Sequence, residues 1–112
     1  MSQEFEVVAY RDESGREPFA TWISDLDWKW RSVVNLRLAR IKSGNFGDCK
    51  FVGNEVYELR IHCGAGYRIY FAKEGRKLIL LLCGGNKSSQ EKDIRKAKKF
   101  LQLYHNRFQQ KI

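Results

Sequence analysis

Little in these 112 residues could staple a secreted fold, hold a metal or cross a membrane. The three cysteines, Cys49, Cys63 and Cys83, are odd in number, widely spaced and free of any C-x-x-C pair. They read as reduced thiols of a cytoplasmic protein. The two histidines, His62 and His105, lie in unrelated contexts, so no metal site is expected. The longest apolar run falls far short of the ~20 residues a membrane span needs. The opening MSQEFEVVAYRDE lacks a basic stretch followed by an apolar one, so no secretory signal is expected either. Nine glycines and one proline beside 43% apolar residues argue against disorder. Repeats, low-complexity tracts and a second domain are also missing, so residues 1–112 read as one domain with one core. There is no nucleophile signature, no Walker-type phosphate loop and no paired carboxylates, and no cofactor is expected.

What the chain does have is positive charge. Twenty-one Lys and Arg against thirteen Asp and Glu leave a net +8. A small domain this basic suits an acidic partner, either nucleic acid or an acidic protein, with plain solubility as the bland alternative.

The stretch from Tyr57 to Lys87 organises the rest. Tyr57, Leu59 and Ile61 alternate with Glu58, Arg60 and His62, which gives one apolar and one charged face of a strand. Cys63-Gly64-Ala65-Gly66 supplies a tight turn. Tyr67, Ile69 and Phe71 then alternate with Arg68, Tyr70 and Ala72. Pairing these runs antiparallel with His62 opposite Gly66 sets Arg60 opposite Arg68. Like charges directly opposite are unfavourable in a sheet, so an anion is expected between them. Leu78 to Cys83 is apolar without alternation and reads as a strand covered on both faces. Gly84-Gly85-Asn86 then delivers Lys87 just beyond the sheet.

Around this core, Phe5–Tyr10 reads as a first strand at or near an edge. Pro18 opens a short helix to about residue 26, carried by Phe19, Trp22, Ile23 and Leu26. A second helix runs from about Trp28 to Ser43, with Val33, Val34, Leu36, Leu38 and Ile41 inward and Gly44 as its stop. Trp22, Trp28 and Trp30 fit core packing better than base stacking. Residues 44–54, with three glycines, read as a loop. Ser88 to Glu91 matches a capping box. Beyond it Ile94, Ala97, Leu101, Tyr104 and Phe108 form an apolar stripe, backed by Lys92, Arg95, Lys96, Lys98 and Lys99. The expected fold is α+β: an N-terminal strand, two helices, a three-stranded antiparallel meander completing a four-stranded sheet, and a basic C-terminal helix.

Arg60, Arg68 and Lys87 together could stabilise the charge that grows on a phosphodiester when a ribose 2′-hydroxyl attacks it, without a metal. Glu58, His62 or Lys87 could serve as base or acid. Tyr70 and the helix cations Lys92, Arg95, Lys96 and Lys99 are candidates for contacting RNA. Each also has a structural reading, with Glu58 as the partner of a nearby arginine and His62 as a surface residue at the hairpin end.

The elements YELRI, GAGYRIYFA and LLLCGGNKSSQEKDIRKA resemble the RelE/ParE toxin superfamily, in particular its HigB-like, phage-derived (Gp49-like) branch of addiction-module killer proteins. PFATWISDL and GNFGDCKFV extend the likeness over nearly the whole chain. The resemblance implies the α+β fold above and the toxin of a type II toxin–antitoxin pair. Its antitoxin would be encoded adjacently and carry a helix-turn-helix domain. It implies metal-independent cleavage of mRNA on the ribosome, or, as in ParE-like relatives, inhibition of DNA gyrase. A non-toxic, prophage-derived binding module is a further alternative. By position, Arg68 is the arginine of the GYR element and Lys87 the basic residue ending the last strand. Glu58 and Arg60 fall where the family carries a basic pair. Ser88 stands where cleaving members often have arginine, and Ile94 near the tyrosine that some members use.

Overall fold

Among the described residues, the alternating runs and helical stripes assemble into five strands and three helices. The computed structural model describes residues 4–109. In chain order these are β1 (Glu6–Ala9), α1 (Pro18–Ser24), α2 (Trp28–Lys42), β2 (Cys49–Gly53), β3 (Val56–Ile61), β4 (Tyr67–Glu74) and β5 (Leu78–Asn86). A 3₁₀ turn, Lys87–Ser89, then leads into α3 (Gln90–Gln109). The sheet order is β1-β5-β4-β3-β2, with β1 parallel to β5 at one edge and every other pairing antiparallel. Among the described residues no helix is long and apolar enough to cross a membrane.

Each face of the sheet carries its own apolar cluster. On one, Leu59, Ile61, Ile69, Phe71, Ile79 and Leu81 meet Phe19, Val34 and Ile41 of α1 and α2. On the other, Val56, Tyr70, Ala72, Leu80 and Leu82 meet Ala97 and Leu101 of α3. This two-sided cover is why Leu78–Cys83 shows no alternation. A bulge adds to it: Tyr70 pairs with Cys83 and Phe71 with Leu81, so Leu82 is the extra residue and both Leu82 and Cys83 join the α3-side cluster. Ile79 and Leu82 have no exposed surface, and burial of each side chain contributes about 2 kcal/mol.

Burial also fixes the chemistry of Cys83. The thiol is 5% exposed, and burial, reinforced by the nearby Asp93 charge, pushes its pKa up to about 12. A thiolate is the reactive species, so this cysteine should be inert in the native protein. We expect a thiol-reactive dye under mildly alkaline conditions to modify the half-buried Cys63, and to reach Cys83 only after denaturant is added. Peptide mapping of native and unfolded samples reads the order; rapid native labelling of Cys83 would contradict it.

Several sequence expectations are corrected. The sheet has five strands, because residues 49–53 are β2, paired with β3 from Cys49↔Leu59 to Gly53↔Val56. Its glycines frame a strand. Gly44 closes α2 by donating to the Ile41 carbonyl at 2.8 Å. Gly53 (φ 95°) opens a turn in which Asn54 and Glu55 both have positive φ, the requirement of a tight hairpin loop. β5 also continues through Gly84, Gly85 and Asn86, which pair with Ile69, Arg68 and Tyr67. The cap before α3 is built by Asn86 and Ser89, and not by Ser88 and Glu91. Asn86 Oδ1 accepts the Ser88 N–H at 2.9 Å, and Ser89 Oγ accepts the Asn86 N–H at 3.3 Å. Leu36 is 55% exposed, so α2 buries a narrower stripe than expected, centred on Val34 and Ile41. Trp22 and Trp30 pack around Tyr67, with ring centroids 6.1 and 5.9 Å away, but Trp28 is 74% exposed. The stripe of α3 is as expected through Tyr104, while the side chain of Phe108 lies outside the described residues.

Candidate functional site

The charged face of β3 and β4 is where the cations gather. Arg60 pairs with Arg68 across the two strands, the register expected from the alternation and the glycine turn. The anion expected between them is supplied by the chain itself. Glu58 Oε1 accepts from Arg60 Nε at 2.9 Å. Oε2 accepts from Tyr70 Oη at 3.0 Å and from Gln90 Nε2 at 2.9 Å, and lies 3.6 Å from Arg68 Nε. The Glu58 side chain has no exposed surface, because the first turn of α3 lies over it.

Burial alone would raise the pKa of Glu58. The hydrogen bonds from Arg60, Gln90 and Tyr70, with the Arg60 charge, outweigh it and hold the carboxyl below its ordinary value. The same carboxylate, after burial itself, pushes the Tyr70 hydroxyl far above its ordinary value. Two assignments made from sequence therefore change. Glu58, fully buried and already bonded through both oxygens, acts on its arginines and has no path to a ribose hydroxyl. Tyr70 is likewise fully buried, so its ring is closed to RNA. It anchors Glu58 instead.

Lys87 and Arg68 meet at the β3–β4 turn. Gly66, at φ 74°, accepts a bond from Arg68 Nη1 on its carbonyl at 3.2 Å. A β-carbon placed on Gly66 would lie 3.4 Å from Lys87 Cβ and 3.7 Å from Arg68 Nη1. The Lys87 amide also donates to the Ala65 carbonyl at 3.5 Å. The three cations predicted from sequence thus share one rim. His62 stands beside it, 71% exposed, with Nε2 2.5 Å from Asp48 Oδ2. The Asp48 carbonyl accepts the Arg60 N–H at 2.9 Å, which ties this pair to the same strand end. The hydrogen bond with His62 holds the Asp48 carboxyl below its ordinary value.

The helix cations divide. Lys92 and Arg95 line a surface hollow of about 550 Å³ with Lys87 and Gln90, contiguous with the rim. Lys99 joins Arg95 and Lys98 around a second hollow farther along α3. Lys96 faces a different cleft of about 460 Å³, between Trp22 of α1 and Asp93 of α3. Among the described residues no three His, Cys, Asp or Glu side chains are grouped to hold a metal ion. Sequence reasoning missed Gln90 and Asp48. Gln90 was hidden inside an apparent capping motif, and Asp48 inside an apparent loop. A glutamine one residue before a capping glutamate carries no signal of its own.

Three comparisons bear on this arrangement. Residues 21–104 match the family model described as phage derived protein Gp49-like. An uncharacterized protein of Haemophilus influenzae is 46% identical over 81 residues, spanning 71% of this chain and 82% of the relative. Among solved structures, a mutant of E. coli toxin RelE in the free state superposes with a TM-score of 0.55 over 80% of this chain and 90% of that one. At 15% identity that likeness speaks for the fold.

Proposed function

From the premise that the chain belongs to the phage-derived Gp49-like family and has the RelE-like fold, we propose that it is the toxin of a toxin–antitoxin pair. Its activity is cleavage of mRNA on the ribosome, in the cytoplasm, without a metal. The observation that supports this most is the meeting of Arg60, Arg68 and Lys87 at one strand end of a chain with net charge +8.

The chemistry follows from that rim. When a ribose 2′-hydroxyl attacks the adjacent phosphorus, a 2′,3′-cyclic phosphate forms, the P–O5′ bond breaks and the leaving 5′-oxygen takes up a proton from water. On the way, negative charge builds on the non-bridging oxygens. Fixed guanidiniums stabilise it there more than in the ground state. Arg68 and Arg60 serve this role, and Lys87 adds a point charge at the exposed side. His62, oriented by Asp48, is the base that takes the hydroxyl proton. An imidazole held in place by a carboxylate is suited to that step. Lys92 and Arg95 extend the positive surface along the RNA backbone. The antitoxin is an adjacently encoded partner that neutralises this basic face.

Induced expression without an antitoxin in E. coli should stop growth within a few generations. Primer extension on a reporter mRNA should show new 5′ ends at the same time. Arrest without new ends would redirect the reading to a non-cleaving toxin such as a gyrase inhibitor. Unimpaired growth with abundant soluble protein would end the toxin reading.

A further inference from the structure

Arg60 and Arg68 face each other across β3 and β4, and the anion that neutralises them is the chain's own. A carboxylate has two oxygens to offer. Here Oε1 serves Arg60, and Oε2 serves Tyr70 and Gln90. Arg68 Nε is left shielded from solvent with no hydrogen-bond partner, 3.6 Å from Oε2. Buried donors are almost always bonded, so this one marks a place where another acceptor belongs. A phosphate has more oxygens than a carboxylate and suits two guanidinium forks at once.

We infer that Arg60 and Arg68 form an oxyanion site that the chain keeps occupied with Glu58, and that a substrate phosphate binds by drawing both guanidiniums off that carboxylate. The inference rests on the proposed function, in which these arginines meet an RNA phosphate. It adds that Glu58 is an internal competitor, latched by Gln90 on the first turn of α3. Arg60 and Arg68 are 29% and 12% exposed, so a ligand reaches them from the solvent side while Glu58 stays below. The same carboxylate keeps the guanidiniums from repelling each other in the empty protein.

Glu58→Gln preserves the shape and removes the charge. Inorganic phosphate is the probe, titrated while the arginine Nε–H signals are followed by NMR. Glu58→Gln should bind phosphate about tenfold more tightly than wild type, equivalent to ~1.4 kcal/mol, with the Arg68 Nε–H signal moving during the titration. Glu91→Gln makes the same charge change in the exposed first turn of α3 and should gain roughly twofold or less, because its charge is solvated. Adding Arg68→Ala to Glu58→Gln should remove the gain. If Glu58→Gln does not fold, Gln90→Ala loosens the latch alone and should gain roughly threefold. A folded Glu58→Gln protein with unchanged or weaker binding would overturn the inference. So would an unfolded Glu58→Gln together with no gain in Gln90→Ala. Phosphate binding is read apart from mRNA cleavage. A wild-type protein that fails to cut RNA therefore sinks the proposed function, and leaves the phosphate gain to be judged by itself.

Discussion

Arg68→Ala is expected to abolish growth arrest and to lower mRNA cleavage by roughly 10²- to 10³-fold, the usual loss when one donor to a developing oxyanion is removed. The expectation rests on where β4 holds this side chain. Arg68 is 12% exposed, bonded to the Gly66 carbonyl, opposite Arg60 on β3 and beside Lys87 at the turn. Once the phosphate has drawn it off Glu58, a guanidinium held by β4 and the Gly66 carbonyl needs little further reorganisation when phosphorus is attacked. Arg68→Lys should recover only part of the activity, because lysine keeps the charge and loses the planar fork. The fold should survive both changes. Glu58 retains Arg60, Tyr70 and Gln90 as partners. Melting temperatures within ~5 °C of wild type would confirm that structure is intact. A folded Arg68→Ala protein that still arrests growth and cuts message at the wild-type rate would remove Arg68 from the site.

The convergence of Arg60 and Arg68 was legible in the sequence because it follows from period-two alternation and one turn. Both are local. Once Cys63–Gly66 closes the hairpin, the register places one arginine opposite the other. The meaning of Glu58 was not legible, for the opposite reason. Its role depends on α3, which begins 32 residues later and lays Gln90 over the carboxylate. Nothing in the alternation of β3 says that its charged face is roofed at one end and open at the other. Tyr70 was misplaced by the same omission: a tyrosine on a polar face reads as exposed until a helix covers it. β2 escaped notice because turn-forming glycines at both ends of a five-residue strand look, in sequence, like one long loop. Lys87 fared better. Its position beside Arg68 needs only that β5 ends near the β3–β4 turn, which the lengths of the three runs already require.

Gly84→Ala should destabilise the fold strongly, by about 2–3 kcal/mol, although it adds a single methyl group. The reason is space. Gly84 lies within β5, paired with Ile69, and its backbone is not in the positive-φ region. A β-carbon there would stand 2.2 Å from Trp22 Cε3, 2.3 Å from Cδ2 and 2.6 Å from Cζ3. The indole lies against the strand because no side chain stands in its way. The Phe19 ring 5.7 Å away and the Tyr67 ring 6.1 Å away bound it on two sides. Overpacking of this kind moves α1 as a unit, and α1 joins the sheet chiefly at β5. In a domain of this size ~1 kcal/mol corresponds to roughly 4–8 °C, so thermal unfolding should shift down by about 10–20 °C. Trp22→Leu alone should also destabilise, through the cavity that it leaves, by about 2–4 kcal/mol. The two changes share one volume, so the double mutant should be less destabilised than their sum by ~1 kcal/mol or more. Strict additivity in that cycle, or a Gly84→Ala protein as stable as wild type, would mean that α1 is held by something other than the contact between Trp22 and the bare strand.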